Sequence, residues 1–118
     1  LIIHCVRAFD ELLTMKQKSG SKVQWIVHGY NSKNSIAEKL LDKKIILSFG
    51  KSLKYPNSNA ALVLGGMSDN DFFLETDDTE ISIQEVYGLA AKIRMISLEE
   101  LKTIVYKNFK QIFNFQNG

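Results

Sequence analysis

The sequence holds two histidines, His4 and His28, and each closes an apolar run: Ile3-His4-Cys5 and Val27-His28-Gly29. A third apolar run closes on Leu74-Glu75-Thr76-Asp77. Neutral imidazole and carboxylate together suit a divalent transition ion such as zinc or manganese, and the same groups can move protons. A catalytic zinc usually takes about three protein ligands and keeps one position open, and a two-metal site takes more. His4, His28 and Asp77 therefore form a sparse set, and a longer chain is expected to supply the remaining ligands. The pattern alone leaves two readings open. The histidines are hydrogen-bonded structural residues at strand ends, or they belong to a metal or acid–base site.

The elements that would bring these residues together read as strands alternating with helices. Leu1–Cys5, Val23–Gly29, Lys44–Gly50 and Asp71–Thr76 are the four predicted strands. The third, K-I-I-L-S-F-G, is apolar almost throughout, as in a parallel sheet covered on both faces. Between the strands, Ala8, Phe9, Leu12, Leu13 and Met15 recur at helical spacing up to Ser19-Gly20. Ile36, Ala37, Leu40 and Leu41 form a second stripe that begins near Asn34-Ser35. Pro56-Asn57 is a possible start for a third helix through Ala60, Ala61, Leu62 and Leu64, ended by Gly65-Gly66. Two capping boxes follow, in which a hydroxyl and a carboxylate three residues on each meet a free first-turn amide. Ser82 with Glu85 opens a helix carrying Val86, Tyr87, Leu89, Ala90 and Ile93; Ser97 with Glu100 opens one carrying Leu101, Ile104, Val105, Phe109 and Ile112.

Successive βα units of this kind form a parallel sheet with right-handed crossovers. The C-terminal strand ends then open on one side, where ligands bind, and His4, His28 and Asp77 converge there. Periodicity does not choose between an open α/β sheet and part of a (β/α)8 barrel.

Composition narrows the class further. The chain has 118 residues, 45% hydrophobic and 24% charged, enough apolar surface for a packed core. Its formal charge of +2 does not declare a nucleic-acid partner by itself. One cysteine excludes an internal disulfide scaffold. No apolar stretch approaches the roughly 20 residues of a membrane span, and Leu1-Ile2-Ile3 is too short for a signal-peptide core. A cytoplasmic compartment is expected. The start on that apolar run, without Met, polar leader or cap, also suggests a fold entered partway along.

Leu1–Leu12 (L-I-I-H-C-V-R-A-F-D-E-L), Trp25–Tyr30 (W-I-V-H-G-Y), Ile46–Gly50 (I-L-S-F-G) and Phe73–Asp77 (F-L-E-T-D) follow one another as in TatD-family metal-dependent hydrolases. The closing Ser97–Phe113 stretch is similar to that family's terminal helix, and the I-H-C-V and H-G-Y segments resemble short TatD-related proteins of the Bacteroides type. The resemblance implies an α/β chain of parallel βα repeats corresponding to the C-terminal half, strands five to eight, of a TIM-like (β/α)8 barrel. Residues 1–118 would form one half-barrel domain. By motif, His4 matches the fifth-strand histidine ligand, His28 the sixth-strand histidine ligand and Asp77 the eighth-strand aspartate. Glu75 matches the glutamate of the E-T-D motif and is expected to order a ligand or water.

The family association implies hydrolysis of phosphodiester bonds in DNA with one or two divalent ions, zinc, manganese or magnesium, and Asp77 as ligand and proton acceptor. The first-strand H-x-H pair and the fourth-strand G-E-x-G-L-D motif are absent from this chain. Asp78-Thr79-Glu80 stands where the family carries a proline-containing loop. Weak metal affinity and little turnover are thus expected of the 118 residues alone.

Other residues have quieter readings. Cys5 alternates away from His4 and reads as a buried structural thiol. Arg7 lies just past a strand end, where it could meet a substrate phosphate or remain solvated. Trp25 reads as core, Ser48 as a small interior residue and Asp69–Asp71 as a turn. Gly65-Gly66 lacks the Lys-Ser or Lys-Thr of a phosphate loop. A second functional class is a non-catalytic fragment or binding module. It would self-associate, as a homo-oligomer, through the open edges at Leu1–Cys5 and Phe72–Thr76.

Overall fold

The computed structural model describes residues 2–4, 25–76 and 81–117, and the side chains of 25–76 and 81–111. The expected helix over Ala8–Met15, Cys5, Arg7 and Asp77 lie outside the described residues, as does the His4 side chain. Four short strands, β1 (Ile2–His4), β2 (Ile26–His28), β3 (Ile46–Phe49) and β4 (Phe72–Leu74), form one parallel sheet in the order β1-β2-β3-β4. The helices are α1 (Asn34–Asp42), α2 (Asn59–Gly66), α3 (Ile83–Arg94) and α4 (Leu98–Asn117), with a 3-10 turn at Lys51–Lys54.

Sequential strand order is the decisive topological fact. A doubly wound sheet reverses its order to place helices on both faces. Here each strand lies beside its predecessor, so right-handed crossovers carry the helices to one face. That face is Val27, Leu47, Phe49 and Phe72, all buried, and they join one cluster with Leu40 of α1, Val63 and Leu64 of α2, Val86 and Ala90 of α3, and Leu101 of α4. The opposite face of β2 and β4 is only half-buried at Ile26 and Phe73. The expectation of a sheet covered on both faces therefore holds for β3, where all four residues are buried, and not for the strands beside it.

Local chemistry sets the element ends. The third strand starts later than its apolar run because Lys44 adopts φ 63° and gives its N–H to the Leu41 carbonyl at 2.9 Å, closing α1. The ladder begins only at Ile46, whose N–H reaches the Trp25 carbonyl at 2.9 Å. Pro56 and Asn57 lie in a turn ahead of α2, and Ser58 caps that helix by accepting from the Ala61 amide at 3.1 Å. Gly65 and Gly66 are the last residues of α2, with Met67 its extended cap. Both capping serines behave as the sequence predicts: Ser82 accepts from the Glu85 amide and Ser97 from the Glu100 amide, each at 3.1 Å.

The N-terminal end of β4 is fastened by polar contacts. Arg94 of α3 donates to the Leu64 and Met67 carbonyls at 2.7 and 2.9 Å, pairs with Asp69 and lies 5.0 Å from the Phe72 ring centre. Asn108 of α4, 2% exposed, donates to the Asp69 and Phe72 carbonyls at 2.8 and 2.9 Å. The expected turn at Asp69–Asp71 is thus also a docking point for two helices.

Candidate functional site

At the C-terminal end of the sheet, parallel pairing aligns three strand ends. His4 pairs with His28 in register between β1 and β2, so the two histidines far apart in sequence stand at one level. Ser48 of β3 is level with Phe73 of β4, and Glu75 follows two residues later on the same face. The Glu75 amide continues the ladder to the Phe49 carbonyl at 2.9 Å, which keeps its side chain beside the mouth of β3.

Glu75 gathers three donors. His28 Nδ1 pairs with Glu75 Oε2, and the Ser48 hydroxyl donates to the same oxygen at 2.8 Å. The Gly29 amide donates to Oε1. The His28 and Glu75 side chains are 21% and 13% exposed, so this is a largely desolvated pair in which charge-assisted hydrogen bonds exceed their strength in water. An ionised carboxylate only accepts, so its contact with Nδ1 of His28 calls for a proton on that nitrogen.

Two glycines make the approach possible. Gly29 adopts φ +66°, a conformation that L side chains rarely adopt, and this aims its N–H at Glu75. A Cβ on Gly50 would stand 3.2 Å from the Glu75 carbonyl oxygen and 3.3 Å from its Cγ. The loop after His28 is tied down at each step. The Tyr30 amide donates to the Ser48 carbonyl at 2.8 Å, and the Tyr30 hydroxyl donates to the Lys33 carbonyl at 2.7 Å. Its ring meets Phe49 edge-on with centroids 6.0 Å apart. Burial pushes the Tyr30 phenol up to about 12, partly opposed by a hydrogen bond with the Ala37 backbone. Asn31 accepts from the Ala60 amide at 2.9 Å, joining the loop to the start of α2.

Of the residues singled out from sequence, His28 and Glu75 are brought into contact, and the backbone of His4 stands beside them. Asp77 and Arg7 lie outside the described residues. Ser48 corrects the sequence reading: its buried hydroxyl belongs to the polar network and does more than fill space. The available signal was its polarity within an otherwise apolar strand. Gly29, Tyr30, Asn31 and Gly50 were not anticipated as site residues, since their roles depend on φ and on neighbours distant in sequence.

The donor chemistry fits a divalent ion. An imidazole whose Nδ1–H is held by a carboxylate is the arrangement that orients histidine ligands in metal proteins. Among the described residues no group of three or more His, Cys, Asp or Glu forms a metal cage. Nor is any helix among them long and apolar enough to cross a membrane.

Comparison with known proteins gives a consistent result. The family described as TatD related DNase matches residues 1–114. The fold is similar to the crystal structure of YJJV, a TatD homolog from Escherichia coli K12, with a TM-score of 0.85 and 20% identity over 96% of this chain and 49% of that one. It is also similar to a hydrolase TatD family protein from Entamoeba histolytica, with a TM-score of 0.80 and 14% identity over 95% and 50% of the respective chains. The chain thus spans about half the length of these solved structures. At these identities the likeness establishes the fold alone, a parallel α/β arrangement that matches about half of each TatD structure. No curated protein sequence matches the chain.

Proposed function

The chain belongs to the TatD related DNase family, and from that membership we propose that it is the C-terminal half-barrel, strands five to eight, of a metal-dependent hydrolase of phosphodiester bonds, a deoxyribonuclease. The observation that carries the site is the Glu75 carboxylate holding His28 Nδ1 at the C-terminal strand ends. His4, His28 and Asp77 are the proposed ligands, with zinc, manganese or magnesium as the ion. When bound, such an ion supplies polarisation of a phosphoryl oxygen and acidification of a water.

The protein's own groups do the rest. Glu75 orients the His28 ring, and Gly29 and Ser48 hold Glu75. Asp77, two residues beyond Glu75, accepts a proton from the attacking water. Arg7 meets the phosphate charge, for which a planar guanidinium is suited. Barrel strands outside residues 1–118 supply further ligands in this proposal, and these residues alone then bind metal weakly and turn over little. A cytoplasmic setting is part of this proposal.

The test is cleavage of DNA by the full-length protein that contains this sequence, with manganese or zinc added and then chelated. Metal-dependent cleavage that falls by at least about 100-fold in Asp77→Asn is expected; cleavage of no phosphodiester under any metal contradicts the reading.

A second reading rests on the exposed sheet. β1 and β4 are the outer strands of the described sheet, and Ile26 and Phe73 are half-buried on the face away from the helices. The 118 residues would then pair with a second copy through these edges as a non-catalytic module. Sedimentation decides it: a concentration-dependent dimer supports pairing, and a strict monomer excludes it.

A further inference from the structure

We infer that Ser48 is a positioning residue: with the space left at Gly50 and the amide of Gly29, it locks the His28 ring into the tautomer with Nδ1 protonated before any metal arrives. The inference rests on reading His28 as a metal ligand and adds what sets its binding nitrogen.

The argument is one of constraint. A glutamate side chain with a single hydrogen-bond partner can rotate about its terminal bond and offer either oxygen. Glu75 has donors on both oxygens, the Gly29 amide on Oε1 and the Ser48 hydroxyl on Oε2, and these fix the carboxylate plane. Ser48 is only 4% exposed, so its hydroxyl has little access to water and its bond to Glu75 is costly to leave unmade. With the plane fixed, Oε2 is presented to His28 Nδ1.

Ser48 also acts from the other side of the pair. Its carbonyl accepts the Tyr30 amide at 2.8 Å, and Tyr30 lies two residues after His28. One strand residue therefore sets the position of both the carboxylate and the chain segment that carries the imidazole. Gly50 completes the device, because a Cβ there would stand 3.2 Å from the Glu75 carbonyl oxygen and 3.3 Å from its Cγ and press the side chain out of its place by a few tenths of an ångström. A filler serine would show none of this coupling.

An imidazole without a fixed acceptor exchanges between two tautomers, and only one presents the Nε2 lone pair to a ligand. The readout is nitrogen NMR of the His28 ring in the metal-free full-length protein that contains this sequence, at alkaline pH. The wild type is expected to show a protonated Nδ1 and an unprotonated Nε2. Ser48→Ala and Gly50→Ala are expected to give averaged ring-nitrogen shifts, and Ser48→Thr, which keeps the hydroxyl, to restore the wild-type pattern. Manganese affinity should fall by about 10-fold in Ser48→Ala.

A wild-type ring with Nε2 protonated overturns the inference and requires no variant to fold. A wild-type pattern retained in Ser48→Ala overturns it as well. The metal reading fails separately, through manganese affinity that is equal in the wild type and in His28→Ala.

Discussion

Two ion pairs stand at opposite ends of the fourth strand and use similar chemistry for different ends. Before the strand, Arg94 pairs with Asp69, and its remaining bonds go to the carbonyls of Leu64 and Met67. After the strand, Glu75 pairs with His28 and also accepts from Ser48 and Gly29. The first pair spends its donors on backbone acceptors that the end of a helix leaves open, so it closes the structure. The second holds a titratable ring at the strand ends where parallel α/β folds bind ligands, so it prepares a surface. Position in the sheet, more than the kind of pair, separates a fastening from a site.

The largest effect expected from breaking this comparison is on the fastening. Arg94→Ala leaves the Leu64 and Met67 carbonyls without their donor and should cost about 3 kcal/mol, read as a lower urea midpoint. Manganese affinity per folded molecule should be unchanged. Glu75→Ala should do the reverse, lowering manganese affinity by about 10–100-fold with a smaller shift in the urea midpoint. Calorimetric titration beside urea denaturation separates the two variants, and equal shifts of both quantities would erase the distinction.

A smaller effect is expected in the loop that supports His28. Tyr30→Phe removes the hydroxyl bond to Lys33 and should cost about 1 kcal/mol at neutral pH. Burial raises the folded phenol from 10.0 to about 12, so above pH 10 the unfolded chain loses this proton first. Stability should therefore decline from pH 10 toward 12, and that decline should shrink in Tyr30→Phe. Thermal melts across this range measure it. The smallest effect belongs to Lys102→Ala on α4, whose exposed pairing with Glu99 at 3.9 Å should matter by less than about 0.5 kcal/mol.

Much of the scaffold was legible in the amino acids. Ser82 and Ser97 announce their helices through a local contact three residues away, and the apolar run Ile45–Phe49 announces a buried strand. His4 and His28 were legible as a pair because parallel strands end on one side. The Glu75 cluster was legible only in part. Its glutamate stood in a motif, whereas Ser48 is a small residue whose hydroxyl gains meaning only from a partner on the next strand. Gly50 was illegible for the same reason: the atom it makes room for is Glu75, which pairing brings near. The 3-10 turn at Lys51–Lys54 also escaped the pattern, since four residues carry no readable period.

The central claim is that the His28–Glu75 pair prepares a ligand for a divalent ion. Its most direct test is calorimetric titration of the 118-residue chain with manganese or zinc, beside His4→Ala and His28→Ala. The account expects weak binding in the wild type and a loss of at least about 10-fold in each variant. Equal binding in all three proteins would contradict it.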